Sequence, residues 1–137
     1  MSWGIVTTLR APVDEVRAFV AHHLSMGAER IWLCFDDPDD PAALAVAHQP
    51  RVIALRCDAA HWARLGLTRP ERHQNRQTAN AQAILRSCDL PWLLHIDVDE
   101  FLTADTLVGD VLAAVPSHRL FVRAKACLLY TSDAADE

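Results

Sequence analysis

Residues 92–102 read Trp92-Leu93-Leu94-His95-Ile96-Asp97-Val98-Asp99-Glu100-Phe101-Leu102. The apolar run is too short for a helix and ends in three carboxylates, which is typical of a buried strand with acids at its carboxyl end. Side chains two apart share a face of an extended chain, so we expect Asp97 and Asp99 to point the same way. Two such carboxylates suit a hard cation, Mg2+ or Mn2+, which completes its shell with water and phosphate. The stretch therefore predicts a metal site.

The spacing of these two aspartates is not by itself distinctive. The chain has 13 aspartates in 137 residues, so roughly one Asp-x-Asp is expected by chance, and motif matches are only hypotheses. A second one occurs at Asp37-Pro38-Asp39. The position of the first directly after an apolar strand is what favours it as a functional site.

Apolar runs and helical periodicity predict the remaining elements. Strands are expected at 3–9, 30–35, 51–56, 92–96 and 120–124, and helices at 12–26, 41–48, 73–87 and 104–114. Thr103 is the expected cap of the last helix. In the 73–87 helix, Ala79, Ala83, Ile84 and Leu85 are expected to face the sheet. Residues 57–67 are ambiguous, with a helical turn around Trp62, and 68–72 read as a loop.

Alternation of strands and helices predicts an α/β fold, with a Rossmann-like, mostly parallel sheet and helices on both faces. Ligands of such sheets bind beyond the carboxyl ends of the strands, where the strand order reverses. Polar residues follow three of the predicted strands at that edge: Thr7, Thr8 and Arg10 after the first, Asp36 and Asp37 after the second, and Asp97 and Asp99 after the fourth. Their agreement is stronger support for a site than any single motif.

Composition limits the class of protein. At 137 residues with 51% hydrophobic residues, the chain is one domain at most, and no apolar run is long enough for a membrane span. No charged-then-apolar leader precedes the first strand, so a soluble, cytoplasmic protein is expected. The formal charge of −5 argues against nucleic-acid binding through a basic patch.

The last residues, Cys127 to Glu137, match the translated read-through of a transposase adapter used in preparing sequencing libraries. We expect these residues to be an artefact that does not belong to the folded domain. Removing their three acids leaves fifteen acidic against thirteen basic residues. Three cysteines remain, without a Cys-x-x-Cys pair, which fits a reducing compartment. We expect the gene to be cut near Ala126, so that residues 1–126 are the front part of a longer domain.

Four stretches carry a resemblance to a known family: Leu9-Arg10, His22-His23-Leu24 followed by Gly27, Ile31-Trp32-Leu33 leading to Asp36-Asp37, and Trp92 to Phe101. In this order they resemble the family 2-like glycosyltransferases, which have the GT-A fold. Residues 1 to about 125 correspond to the nucleotide-sugar half of that fold. The resemblance implies transfer of a sugar from a nucleoside-diphosphate donor to an acceptor hydroxyl on a glycan, a lipid or a protein, with Mn2+ or Mg2+ on the diphosphate.

The resemblance also implies roles for particular residues. Asp97 and Asp99 would contact the ribose and the diphosphate with its bound metal ion. Asp36 or Asp37 would form hydrogen bonds to the base. The expected nucleotide-sugar-binding residues are therefore Thr8, Arg10, Asp36, Asp37, Arg76 and Asp97, and the metal ligands are Asp97 and Asp99. Ala11-Pro12 replaces the Asn-Glu of many relatives, and Pro38-Asp39-Asp40 replaces a Gly-Ser-Thr. The catalytic base is expected beyond residue 126, so this fragment alone should be inactive.

Several of these residues have a simpler interpretation. Arg76 could bind phosphate through its planar fork, or be a solvated arginine on its helix. Asn75, Gln77 and Asn80 are interpreted as exposed polar residues. Of His22 and His23, one should pack and the other face solvent. His95 is expected in the core. Trp32, Trp62 and Trp92 are expected to pack, although Trp62 could instead stack on a sugar or base.

Two other classes share part of the pattern. Phosphatases that form an aspartyl phosphate also have Asp-x-Asp after an apolar strand, but on the first strand of the domain and followed by Thr or Val where Phe101 stands here. A receiver-like signalling module needs an Asp pair after its first strand and a lone acceptor Asp after its third, an arrangement not expected from this sequence. Both classes remain alternatives to a transferase.

Overall fold

The computed structural model describes residues 1–125; the predicted adapter tail at 127–137 lies outside the described residues. The strands are β1 (Trp3–Leu9), β2 (Arg30–Phe35), β3 (Val52–Arg56) and β4 (Trp92–His95). The helices are α1 (Val13–Ser25), α2 (Ala42–Val46), α3 (Ala59–Arg64), α4 (His73–Ser87) and α5 (Val108–Ala113). Four of the five predicted strands and the 73–87 helix are therefore confirmed, and α3 resolves the ambiguous segment around Trp62.

The four strands form one parallel sheet in the order β3-β2-β1-β4. β1 is central: Gly4 to Leu9 pair with Arg30 to Phe35 on one side, and Trp3 to Val6 pair with Trp92 to His95 on the other. Strand order reverses at β1, since the chain moves outward to β3 before returning to β4. The Rossmann-like α/β prediction is confirmed, and the switch point lies beside the carboxyl end of β1.

Helices cover both faces of the sheet because β1 is apolar on both. On one face, Ile5 and Leu9 pack with Phe19 of α1 and Ala43 of α2. On the other, Val6 packs in a smaller cluster whose members include Trp32, Cys34, Trp62 of α3 and Ile84 of α4. All seven residues of β1 are buried, as expected of the central strand of a parallel sheet covered on both sides.

Gly4 allows close approach at the start of β1. A Cβ there would lie 2.8 Å from Leu90 Cδ1, 2.9 Å from the carbonyl oxygen of Arg30 and 3.0 Å from Trp32 Cζ3. The Arg30 carbonyl belongs to the neighbouring strand and cannot move aside as a side chain can. Only glycine fits this position without displacing the sheet.

We expect Gly4→Ala to lower the free energy of unfolding by about 1–3 kcal/mol, the usual cost of overpacking a close contact. Urea denaturation followed by tryptophan fluorescence measures it. Ser2→Ala, at an exposed neighbouring position, is the control and should stay within about 0.5 kcal/mol of the parent. A Gly4→Ala protein as stable as that control would contradict the packing described here.

Three predictions about elements are wrong. Residues 120–124 form no strand, and Leu120 is 91% exposed; among the described strands none pairs with this segment, and an isolated strand has no hydrogen-bond partners. The predicted 104–114 helix begins only at Val108, after an extended Leu107, so Thr103 caps nothing. Leu85 is 62% exposed, whereas Ala79 and Ile84 do face the sheet.

Within residues 1–125, none of the helices combines the length and the apolar composition that crossing a bilayer requires.

Candidate functional site

A cleft of about 660 Å³ opens at the carboxyl edge of the sheet. Its walls come from the segments that follow three strands: Arg10 after β1, Asp36 and Asp37 after β2, and Asp58 after β3. Trp62 of α3 and Arg69 of the next loop complete it. Arg10, Asp36 and Asp37, three of the residues expected to bind a donor, therefore line one cavity.

Asp36 is paired with Arg76 of α4 inside this wall. Nε of Arg76 lies 2.7 Å from Oδ1 of Asp36, and Nη2 lies 3.1 Å from Oδ2, so the pair is bidentate. The side chains are only 11% and 10% exposed. Arg76 Nη1 donates to the carbonyl oxygens of Pro70 and Glu71, which ties the 68–72 loop to the same guanidinium. Arg76 is thus neither solvated nor free to bind phosphate.

The electrostatics of Asp36 follow from this pairing. Burial alone would raise its pKa, but the hydrogen bonds and charge of Arg76, with help from Arg69 and His73, bring the pKa of Asp36 below its ordinary value. Arg69 Nη2 lies 3.4 Å from both carboxylate oxygens. Since both oxygens of Asp36 are occupied, Asp37, half-buried in the same wall, is the better-placed acceptor for a ligand.

We expect Arg76→Met to destabilise the protein by about 3–5 kcal/mol, because the buried Asp36 carboxylate loses its bidentate partner and keeps only the longer contact with the half-exposed Arg69. In the parent, the contribution of Asp36 is fully present above the ordinary aspartate pKa of about 3.9. It is lost as the pH falls through the lower pKa of the folded protein. In the variant only Arg69 and His73 still offset the burial, so the pKa of Asp36 is higher than in the parent and the deficit shrinks on acidification.

Urea unfolding at pH 7 and at pH 4 measures both effects. Arg86→Met is the matched control, since Arg86 is an exposed arginine of the same helix and its loss should cost less than about 1 kcal/mol. Equal deficits for the two variants at pH 7 would contradict the pairing.

Thr8 and Asn80 belong to a buried polar network beneath the cleft. Asn80 Nδ2 donates to Thr8 Oγ1 at 2.9 Å, and Asn80 Oδ1 lies 2.7 Å from His61 Nε2. Asn80 is 1% exposed, so its interpretation as an exposed residue is wrong. Thr8 supports the wall rather than lining the cavity. The signal was in the sequence: stepping back by four from Ile84 gives Asn80 and then Arg76, the buried stripe of α4.

Asp97 and Asp99 lie in a tight turn rather than in an extended strand. The Glu100 N–H donates to the Asp97 carbonyl at 3.0 Å, and the Asp97 N–H donates to Glu100 Oε1 at 2.8 Å. β4 ends at His95, which is exposed rather than in the core. Both aspartates are exposed. The predicted alternation of exposure nevertheless holds, because Val98 between them packs against the larger hydrophobic cluster.

The environment of these two carboxylates is open. Gln77 Nε2 of α4 donates to Asp97 Oδ1 at 3.2 Å. Over residues 1–125, no three His, Cys, Asp or Glu side chains converge in a way that could hold a metal ion. A cation here would take one or two carboxylates from the protein and its remaining ligands from water and substrate, the usual arrangement for Mg2+.

α4 connects the two parts of the candidate site. Arg76 holds Asp36, and its neighbour Gln77 holds Asp97. Because neighbouring residues of a helix diverge by about 100°, one turn of α4 contacts the segments after β2 and after β4. Asp97 does not line the 660 Å³ cleft, but it flanks the same carboxyl edge from across β1.

Comparison with models of protein families, with curated proteins and with solved structures found no match for this chain.

Proposed function

We propose that this chain is the nucleotide-sugar-binding part of a glycosyltransferase that moves a sugar from a nucleoside-diphosphate donor to an acceptor hydroxyl. The observation that carries the proposal is the contact of Arg76 and Gln77 with Asp36 and Asp97. One turn of α4 thus contacts the segments that follow β2 and β4, both at the carboxyl edge where parallel α/β sheets bind their ligands. The order of acidic segments along the chain, which resembles the family 2-like enzymes, supports the same conclusion.

The residues divide the work by their chemistry. Asp37, with one carboxylate oxygen accepting the Asp39 N–H at 2.9 Å, would accept an N–H of the base with the other. Arg10 is exposed at the end of β1 and lines the cleft, so its guanidinium would meet the diphosphate. Asp97 and Asp99 would hold Mn2+ or Mg2+, which when bound neutralises the charge that develops on the leaving diphosphate.

The acceptor hydroxyl must also lose a proton to a carboxylate or histidine within hydrogen-bond reach. Glu100 is occupied by its contact with the Asp97 N–H. No residue of the chain is assigned this role. The function proposed for this chain is therefore the binding of the donor and of the metal ion.

We expect Asp97→Asn combined with Asp99→Asn to weaken Mn2+-dependent binding of UDP by more than about tenfold, because the neutral amides do not replace carboxylate ligands. Titration calorimetry with UDP, in the presence and absence of Mn2+, measures it. Asp105→Asn with Asp110→Asn, two exposed acids further along the chain, keeps the net charge change equal. Unchanged affinity in the Asp97/Asp99 variant would refute the metal assignment.

We expect Asp37→Ala to weaken UDP binding by about ten- to a hundredfold, the range for losing a hydrogen bond to a charged group. The Mn2+ affinity should not change. Asp39→Ala removes a neighbouring exposed carboxylate outside the cleft and serves as the control. Equal losses in the two variants would mean that the segment after β2 contributes only its charge.

The two alternative classes make a different prediction. Asp58 does follow β3, contrary to the expectation from sequence, but its Oδ1 accepts the His61 N–H at 2.8 Å as the cap of α3. No acidic residue occupies positions 7–11, which are the end of β1 and the two residues after it. Incubation with acetyl phosphate should therefore leave no acid-stable, hydroxylamine-sensitive phosphoryl group on the protein. Trapping such an adduct would favour a phosphatase or a receiver module.

A further inference from the structure

Leu102 is held to α1 by two histidines. The Leu102 N–H donates to His23 Nε2 at 3.1 Å, and His22 Nε2 donates to the Leu102 carbonyl at 2.7 Å. Both polar groups of one peptide residue are thus satisfied by side chains, outside any helix or strand. The expectation of one packed and one solvated histidine is only half right: His23 is fully buried, and His22 is half-buried and hydrogen-bonded.

The hydrogen bonds fix where the protons lie. His23 Nδ1 is 2.8 Å from the Phe19 carbonyl, which can only accept, so Nδ1 carries the proton and Nε2 is free to accept from Leu102. His23 is therefore neutral. Burial lowers the pKa of His23; the Phe19 hydrogen bond opposes this, and the charge of His22 adds to it. His22 must carry its proton on Nε2 to reach a carbonyl.

Aromatic packing reinforces this attachment. The Phe101 ring stacks on His23 with centroids 5.8 Å apart and meets His22 and Phe19 edge-on at 5.1 Å and 6.2 Å. Of the rings that face His23, only His22 can carry a charge. Phe101 is nevertheless 44% exposed, so packing alone does not fix it.

We infer that His22 and His23 are positioning residues, which hold the turn carrying Asp97 and Asp99 in place through Leu102. The inference rests on the proposed function, since it assigns the pair a task in metal and donor binding. Within the described chain, the main chain of residues 97–102 forms hydrogen bonds to other elements only at Leu102. Besides these there are the Gln77 contact and the packing of Val98 and Leu102.

The physical reason lies in the cost of ordering a loop. A turn that moves freely must be ordered when a cation binds, and that cost reduces the affinity. Fixing Leu102, three residues after Asp99, removes much of the conformational freedom of the turn before a cation binds. The histidines do not contact the cation; they act through the backbone.

The test compares His23→Leu, which loses both hydrogen bonds, with His23→Gln, whose amide oxygen can still accept the Leu102 N–H. Hydrogen exchange at the Leu102 amide reports the attachment directly, and the Ile5 amide in β1 reports global unfolding. We expect Leu102 exchange to rise about tenfold in His23→Leu relative to Ile5, and to return to within about threefold of the parent in His23→Gln. His48→Leu, at an exposed position, should change neither amide.

Mn2+–UDP titration provides the second measurement. We expect the dissociation constant to rise about five- to twentyfold in His23→Leu and to recover in His23→Gln, an effect that lost stability alone would not reverse. If His23→Leu fails to fold, His22→Ala decides instead, because it removes the bond to the Leu102 carbonyl and the edge-on contact with Phe101 but keeps His23. It should raise both the exchange rate and the dissociation constant.

The outcomes separate this inference from the proposed function. A parent that does not bind Mn2+–UDP overturns the function, and with it the task assigned to the histidines. A parent that binds, with an Asp97/Asp99 variant that does not, upholds the function. If His23→Leu then keeps both Leu102 protection and affinity, the positioning role is overturned. Equal loss of affinity in the leucine and glutamine variants overturns it too.

Discussion

The buried ion pair of Asp36 and Arg76 is the interaction on which the site depends. It joins the end of β2 to the first turns of α4, and the same guanidinium holds the carbonyl oxygens of Pro70 and Glu71. Desolvation of two charges offsets much of their attraction, so such a pair contributes little net stability. Removal of one partner alone is costly, however. The pair therefore specifies one arrangement of strand, helix and loop around the cleft.

The parallel sheet explains why that arrangement lies at the cleft. Parallel strands place all their carboxyl ends at one edge, so segments far apart in sequence meet there. β1 is buried over its whole length, and its apolar residues belong to both hydrophobic clusters, one on each face of the sheet. Apart from its two threonines, β1 contains no polar residues, and the polar residues of the site begin where the strands end. The position of Arg10 and Asp37 follows from that boundary.

Much of the fold could be predicted from the sequence because the strands are short apolar runs and their neighbours have helical periodicity. The predictions that failed depend on contacts between residues that are far apart in the sequence. Polar residues such as Asn80 are expected to be exposed on a helix, and their burial is favourable here because of partners remote in sequence, such as Thr8 for Asn80 and Asp36 for Arg76. The predicted helix from Ala104 starts late, beyond the residue whose N–H and carbonyl are taken by two histidines of α1.

The candidate site was predictable in its parts but not in its geometry. The apolar run ending at Ile96 correctly indicated a strand, yet the Glu100 carboxylate bonds the Asp97 N–H and turns the chain at once. Strand alternation correctly separates the exposed Asp97 and Asp99 from the packed Val98, but it does not predict the turn. In the same way, nothing in the composition of residues 36–40 distinguishes the engaged Asp36 from the more available Asp37.

Arg76 and Gln77 are adjacent residues of α4, so the helix relates the two acidic segments to each other. Arg76 contacts the acid that follows β2 and Gln77 the acid that follows β4, and these two helix positions differ by about 1.5 Å of rise and 100° of rotation. One residue inserted between them would rotate one contact away from its carboxylate while leaving the other in place. The relation between the two acidic segments is therefore sensitive to the register of α4.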